Sequence, residues 1–143
     1  IELKKLIKKF KIDVVQIPIN IFDQRFLEKK FLSKLKKENI EIHARSIFLQ
    51  GLLTLKLNNL PKRFKRFKNN FKRWQEFLKK HRSNPVKESL RFISNINEID
   101  KIVAGFDNPK QIIELFTNIS KKKISGYSKL KSKNLGLIDP RKW

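Results

Sequence analysis

The chain has no cysteine and only two histidines, His43 and His81, which lie far apart in sequence. A disulfide framework and a thiolate metal site are excluded, and no metal centre is expected from two isolated imidazoles. Acidic residues are scarce, with 13 Asp and Glu against 35 Lys and Arg, a formal net charge of +22. The one tyrosine, Tyr127, lies near the carboxyl end, where the expectation is a surface or docking residue. No apolar run approaches the ~20 residues that cross a bilayer. The basic amino end, IELKKLIKKFK, lacks the apolar segment and small-residue cleavage site of a secretory signal. The expected compartment is the cytoplasm. No Ser/His/Asp series, paired-carboxylate site or P-loop is visible.

What is present suits a single domain. At 143 residues the length matches one folding unit, and the twelve Phe supply much of a core. A charge of +22 attracts polyanions at least non-specifically. The basic residues, however, run along the whole length, in a chain also rich in Ile, Asn and Phe, as a compositional bias would leave them.

Hydrophobic spacing alternates between two periods. Leu3, Leu6, Ile7 and Phe10 repeat at three and four residues and predict one apolar helical face. The first residue is Ile and falls inside this pattern, so the chain is expected to be a piece of a longer protein. A strand Asp13–Ile17 follows, ended by Pro18 and Asn20, with Asp23 as a candidate helix cap. A helix from roughly Glu28 to Lys37 turns Phe31, Leu32 and Leu35 inward and Lys29, Lys30, Lys34 and Lys36 outward. The next strand, Glu41–Arg45, completes a helix, strand, helix, strand order that implies parallel strands.

From Asn58-Asn59-Leu60-Pro61 a long helix is predicted, with Phe64, Phe67, Phe71, Trp74 and Leu78 on one face. Lys and Arg at 62, 63, 65, 66, 68, 72, 73, 79 and 80 fill most other positions. Aromatics among cations could stack on bases or lie on an acidic membrane, which makes helix 61–80 a candidate basic binding module. The regularity of the stripe favours the alternative, a helix packed by its aromatic side with a solvated basic side. Ser83 or Asn84 caps a further helix with Val86, Leu90 and Ile93 inward. A third strand, Asp100–Ala104, exits at Gly105 into a helix begun by Asn108-Pro109, with Ile112, Ile113, Leu115 and Phe116 inward. Residues 122–143, and the run Lys121-Lys122-Lys123 that leads into them, read as an irregular tail.

Two strand exits carry unusual chemistry. In EIHARSIFLQGLL (41–53) an apolar strand ends in Arg45, Ser46 and a glycine turn at Gly51, equipment suited to an anion or nucleotide. In DVVQIPINIFDQR (13–25), Gln16 interrupts an apolar strand, where an inward amide without partners costs stability. Read together, VVQIPINIFDQR and ARSIFLQGLL resemble the sixth and seventh barrel strands of the aldo-keto reductases. IDKIVAGFDNPKQIIELF (99–116) is similar to that family's eighth strand and following helix, and LIDPRKW (137–143) to its carboxyl end. Three matches in the family's order cover most of the chain.

The resemblance implies an α/β fold, a partial (β/α)8 TIM barrel of three parallel strands with intervening helices. It implies NADP or NAD as cofactor and an aldehyde, a ketone or the corresponding alcohol as substrate. It assigns Gln16 to the cofactor's carboxamide, and Arg45, where many relatives have a stacking Tyr, to the nicotinamide. A side-chain amide can donate to and accept from a carboxamide, and a planar guanidinium can lie on a ring. Ser46, Phe48, Gln50 and Gly51 match the loop that wraps the diphosphate, although Ile47 stands where many relatives have Pro. Gly105, Asp107, Gln111 and Glu114 match the adenosine end, near a helix start that favours phosphate. Asp107 and Glu114 would repel a 2′-phosphate and Lys110 could compensate, which leaves the choice of cofactor open. No catalytic or metal residue is assigned: the family's Asp, Tyr, Lys and His precede the sixth strand. The expected partners are the carbonyl substrate and a missing amino-terminal half of the barrel, with no specific nucleic acid and no membrane.

Overall fold

Val15 and Ile17 alternate with Val14, Gln16 and Pro18, as Ile42 and Ala44 alternate with Glu41, His43 and Arg45, so successive side chains leave on opposite faces. In the computed structural model, which describes residues 2–119 and 124–143, these runs form β1 (Val14–Pro18) and β2 (Glu41–Arg45). The run Lys121-Lys122-Lys123 and the side chain of Lys29 lie outside the described residues. The two strands pair in parallel, with Gln16 beside His43 and Pro18 beside Arg45. A third parallel strand, β3 (Lys101–Ile102), lies against β2, giving the order β1-β2-β3. It is shorter than the predicted Asp100–Ala104. Bonds from Asp100 N–H to Ile42 O (2.9 Å) and from Val103 N–H to Ala44 O (2.8 Å) continue the pairing at its ends.

The two faces of this sheet differ. Val15, Ile17, Ile42 and Ala44 are buried on one face. Val14 (47 % exposed), Gln16 and Arg45 share the other, which the described residues leave open. The helix α1 (Glu2–Lys9) half-buries Leu3 and Ile7. Leu6 and Phe10, predicted on the same inward face, are exposed because no described element covers that side.

The connection from β1 to β2 holds a 3-10 turn, Arg25–Lys30, and then α2 (Phe31–Lys37). The helix predicted from Glu28 is broken at Lys30, whose φ is 53°. Phe31, Leu32 and Leu35 are buried, and α2 packs on β2. Asp23 is not the cap expected of it: buried in the loop, it accepts two 2.8 Å hydrogen bonds from the Arg25 guanidinium.

The aromatic stripe begins in a 3-10 helix, Lys62–Phe67, and continues in α3 (Lys68–Lys80). Three residues per turn put Phe64 and Phe67 on one side, which explains the tighter start. Phe64, Phe67, Phe71, Trp74 and Leu78 are all buried, and Trp74 Nε1 donates to Leu53 O at 2.9 Å. The stripe is core, and the cations predicted around it are exposed.

Asn84 caps α4 (Pro85–Ser94), accepting from Lys87 N–H at 2.8 Å, and Asn108 caps α5 (Pro109–Thr117), accepting from Gln111 N–H at 3.2 Å. On α5 only Leu115 is buried; Ile112, Ile113 and Phe116 are exposed, contrary to the predicted inward face. No described strand or helix covers that face. The described part of the tail also departs from expectation. It forms a 3-10 turn at Tyr127–Leu130, α6 (Leu135–Ile138) and a last turn at Pro140–Lys142. Leu137 and Ile138 are buried, and the Trp143 ring meets Phe64 edge-on at 4.9 Å. Tyr127, expected at the surface, is buried between Phe77 and Phe92, each 5.2 Å away. No helix among the described residues is long and apolar enough to cross a membrane.

Candidate functional site

Among the described residues, positive φ values cluster in the backbone after β2. Ser46, Leu49, Gln50 and Gly51 take positive φ values of 55°, 51°, 53° and 80°. Left-handed conformations cost non-glycine residues on the order of 1–2 kcal/mol each, so the fold must impose them. Leu49 is fully buried and anchors the turn. Leu49 N–H bonds to Ser46 O (2.9 Å), Leu53 N–H to Phe48 O (3.1 Å), and Thr54 Oγ1 donates to Gly51 O (2.8 Å). The N–H groups of Ile47, Phe48, Gln50 and Gly51 bond to no described group. Successive backbone N–H groups left free in a turn form concavities that suit anions.

This loop forms one wall of a cleft of about 860 Å³, within the range of small-molecule sites. The lining continues with the exit of β3, from Val103 to Asp107, and with Gln111, Glu114 and Leu115 of α5. Pro85 and Val86, at the start of α4, also line it. Arg45 stands at the β2 exit and donates to Ser46 Oγ at 3.3 Å. Gln111 Oε1 accepts from Asp107 N–H at 2.8 Å, so this side chain holds the β3 loop against α5.

The structure brings nine of the ten predicted site residues to this one cleft. Arg45, Ser46, Phe48, Gln50 and Gly51 come from the β2 side, and Gly105, Asp107, Gln111 and Glu114 from the β3 side. Gln16 is the one outside its lining. It is exposed on the open face of the sheet, the face that Arg45 shares by register, and has no hydrogen-bond partner among the described residues.

A family model described as the Aldo/keto reductase family matches residues 2–133. The chain belongs to the aldo/keto reductase family. A search of the curated proteins returned no match. In this aldo/keto reductase, an oxidoreductase by family, the parallel strands and intervening helices form an α/β partial TIM barrel. Its cleft sits at the carboxyl ends of β2 and β3, the end where such sheets hold their ligands.

Two clusters in this aldo/keto reductase escaped the sequence reading. On the open face, Glu41 Oε1 lies 2.6 Å from His43 Nε2 and 2.7 Å from Lys101 Nζ. Hydrogen bonds from Lys101 and then His43 lower the Glu41 pKa, and the Glu41 bond raises that of Lys101. The period of two puts 41 and 43 on one face, but only strand pairing adds Lys101. Glu41 opens β2, at the end away from the cleft, where such groups serve stability more than chemistry. The second cluster is buried: Glu88 pairs with Arg91 on α4 and accepts a 2.7 Å hydrogen bond from the Tyr127 hydroxyl. Burial first, and this bond second, raise the Tyr127 pKa. Tyr127 is not among the residues that line the cleft. Among the described residues no His, Cys, Asp and Glu group could hold a metal ion.

Proposed function

We propose that the chain is the cofactor-binding part of a cytoplasmic NAD(P)-dependent oxidoreductase that interconverts an aldehyde or ketone and its alcohol. The observation that carries this reading is the cleft with its four free N–H groups and a guanidinium on one wall. Those groups fit a diphosphate: N–H donors and Arg45 supply hydrogen bonds and positive charge where a dinucleotide is most negative. Asp107, Gln111 and Glu114, also in the lining, offer acceptors for ribose hydroxyls. Gln16, on the same sheet face as Arg45, is suited to hold the nicotinamide carboxamide. When bound, the cofactor supplies or accepts the hydride; the chain's own residues bind and orient it.

The proton donor and the substrate pocket belong, in this reading, to an amino-terminal half of the barrel. The exposed apolar residues support it: Leu6 and Phe10 by α1, Val14 on the open face of β1, and Ile112, Ile113 and Phe116 on α5. Such surfaces are usual where another layer packs.

The test is calorimetric titration of the chain with ADP-ribose, and of the full-length protein with NADPH and NADH. Binding that weakens in Arg45→Ala, and in Gln16→Ala for the full-length protein, supports the reading. Cofactor affinity unchanged in both variants removes those two roles. The alternative, a nucleic-acid or acidic-membrane module on helix 61–80, loses its aromatic component, because that stripe is buried. What remains to it is an outward row of cations. Retention on heparin that disappears at moderate salt, with no preference for base or lipid, is the outcome expected of unspecific charge.

A further inference from the structure

The loop after β1, Ile19–Gln24, contributes no residue to the cleft lining, yet it is hydrogen-bonded to two residues that do line it. Ile19 N–H donates to Arg45 O (3.2 Å), and Asn20 Nδ2 donates to Ser46 O (3.2 Å). Asn20 is 1 % exposed, and its side chain is used at both ends. Its Oδ1 accepts from Phe22 N–H (3.0 Å) and Asp23 N–H (2.9 Å), which folds its own loop. Its amide then reaches 26 residues along the chain to the Ser46 carbonyl. That carbonyl also takes Leu49 N–H (2.9 Å), so both of its lone pairs are committed. Ser46 is the residue at which the backbone first turns left-handed, at φ 55°, and Ile47 and Phe48 with their free N–H groups come next. A serine does not hold that conformation unaided.

We infer that Asn20 is a positioning residue: it fixes the Ser46 carbonyl and so orients the anion-binding N–H groups of the cleft without touching the ligand. The inference rests on the reading of this loop as a diphosphate cradle. It adds a determinant of affinity from a different strand exit, held in place by the carboxyl-terminal segment. Gln24, four residues on, donates to Tyr127 O (2.9 Å), and Ser132 N–H donates to Phe22 O (2.9 Å).

The experiment compares the wild-type chain with Asn20→Ser. Serine keeps a short acceptor for the Phe22 and Asp23 N–H groups, adds no charge near the cleft, and is too short to reach Ser46. Asn20→Thr takes its place if the serine variant does not fold. Inorganic pyrophosphate and adenosine are titrated separately, with circular dichroism to establish the folded fraction. The expected result is pyrophosphate affinity weakened about tenfold or more, as loss of a supporting hydrogen bond does elsewhere, with adenosine affinity unchanged. A purely structural role would lower both together through the folded fraction. Equal pyrophosphate affinity in variant and wild type overturns the inference, as does a parallel loss for both ligands. In the wild-type chain, pyrophosphate should shift the Asn20 side-chain amide resonances together with the Ile47 and Phe48 amides; a silent Asn20 also counts against it. If the wild-type chain binds no pyrophosphate, the cradle reading itself fails, a different outcome from either of these.

Discussion

The hydroxyl of Tyr127 lies 2.7 Å from Oε2 of Glu88, a carboxylate with no solvent exposure that also pairs with Arg91. The bond joins the carboxyl-terminal segment to α4 across 39 residues. Tyr127→Phe keeps the ring between Phe77 and Phe92 but leaves a buried carboxylate short of a partner. We expect a loss of about 2 kcal/mol in urea denaturation. The pH dependence follows from the raised Tyr127 pKa. Below the ordinary value of 10.0 the contribution is complete, because tyrosine is protonated whether folded or not. Above it the unfolded chain ionises first, and the stability is lost as pH climbs through the raised pKa. Alkaline destabilisation in this range should be weaker in Tyr127→Phe.

Asp139 is the acid-side counterpart. Hydrogen bonds from the Arg141 side chain hold its pKa down, from 3.8 to about 2. A lowered carboxylate contributes fully above its unfolded value and loses that contribution as pH falls from about 4 towards 2. Arg141 is largely exposed, so solvent screening reduces the effect to roughly 1 kcal/mol. Asp139→Asn should flatten the stability profile in that window, measured by denaturant midpoints at stepped pH.

Gly51 has φ 80°, and a Cβ there would meet nothing within 4 Å. Gly51→Ala therefore tests backbone strain with no clash. The expected cost is about 1–2 kcal/mol in thermal or chemical unfolding. Pyrophosphate affinity should weaken as well, because Gly51 and its neighbour Gln50 carry two of the four free N–H groups. Unchanged values for both would show that the loop adapts freely.

The cleft is charged against the run of the composition. In a chain of 35 cations and 13 acids, Arg45 is the one cation among the described residues that line it, and Asp107 and Glu114 are the two acids. Neither carboxylate is paired among the described residues, and Lys110 is not part of the lining. With the adenosine end at that wall, as proposed, a 2′-phosphate would meet uncompensated negative charge, so NADH should bind more tightly than NADPH. Asp107→Asn with Glu114→Gln should narrow the difference, read as the ratio of the two dissociation constants. A wild-type preference for NADPH would contradict the expectation.

Local pattern alone was enough for much of this molecule. A period of two located β1 and β2, spacings of three and four located the aromatic stripe, and Asn-Pro pairs marked the starts of α4 and α5. These signals are legible because backbone geometry repeats within a few residues and leaves its period in the side chains. Arg45, Ser46 and Gly51 could also be singled out, because a cation, a hydroxyl and a glycine at a strand end break an apolar run; the site residues from Gly105 to Glu114 were marked only by the resemblance to the aldo-keto reductases.

What only the tertiary structure decided depends on residues distant in sequence. Tyr127 is buried because Phe77, Phe92 and Glu88 converge on it, and nothing in its neighbours along the chain announces them. Asn20 reads as the end of a strand until pairing brings Ser46 beside it. Ile112, Ile113 and Phe116 have helical spacing suited to a buried face, yet burial requires a neighbour, and none of the described elements reaches them. The sequence by itself marked most of the segments that coil or extend, but not the turns and short helix of the tail or the break at Lys30. Packing decided which polar groups meet, since hydrogen bonds and desolvation act through distances of a few ångströms in space, whatever the separation along the chain.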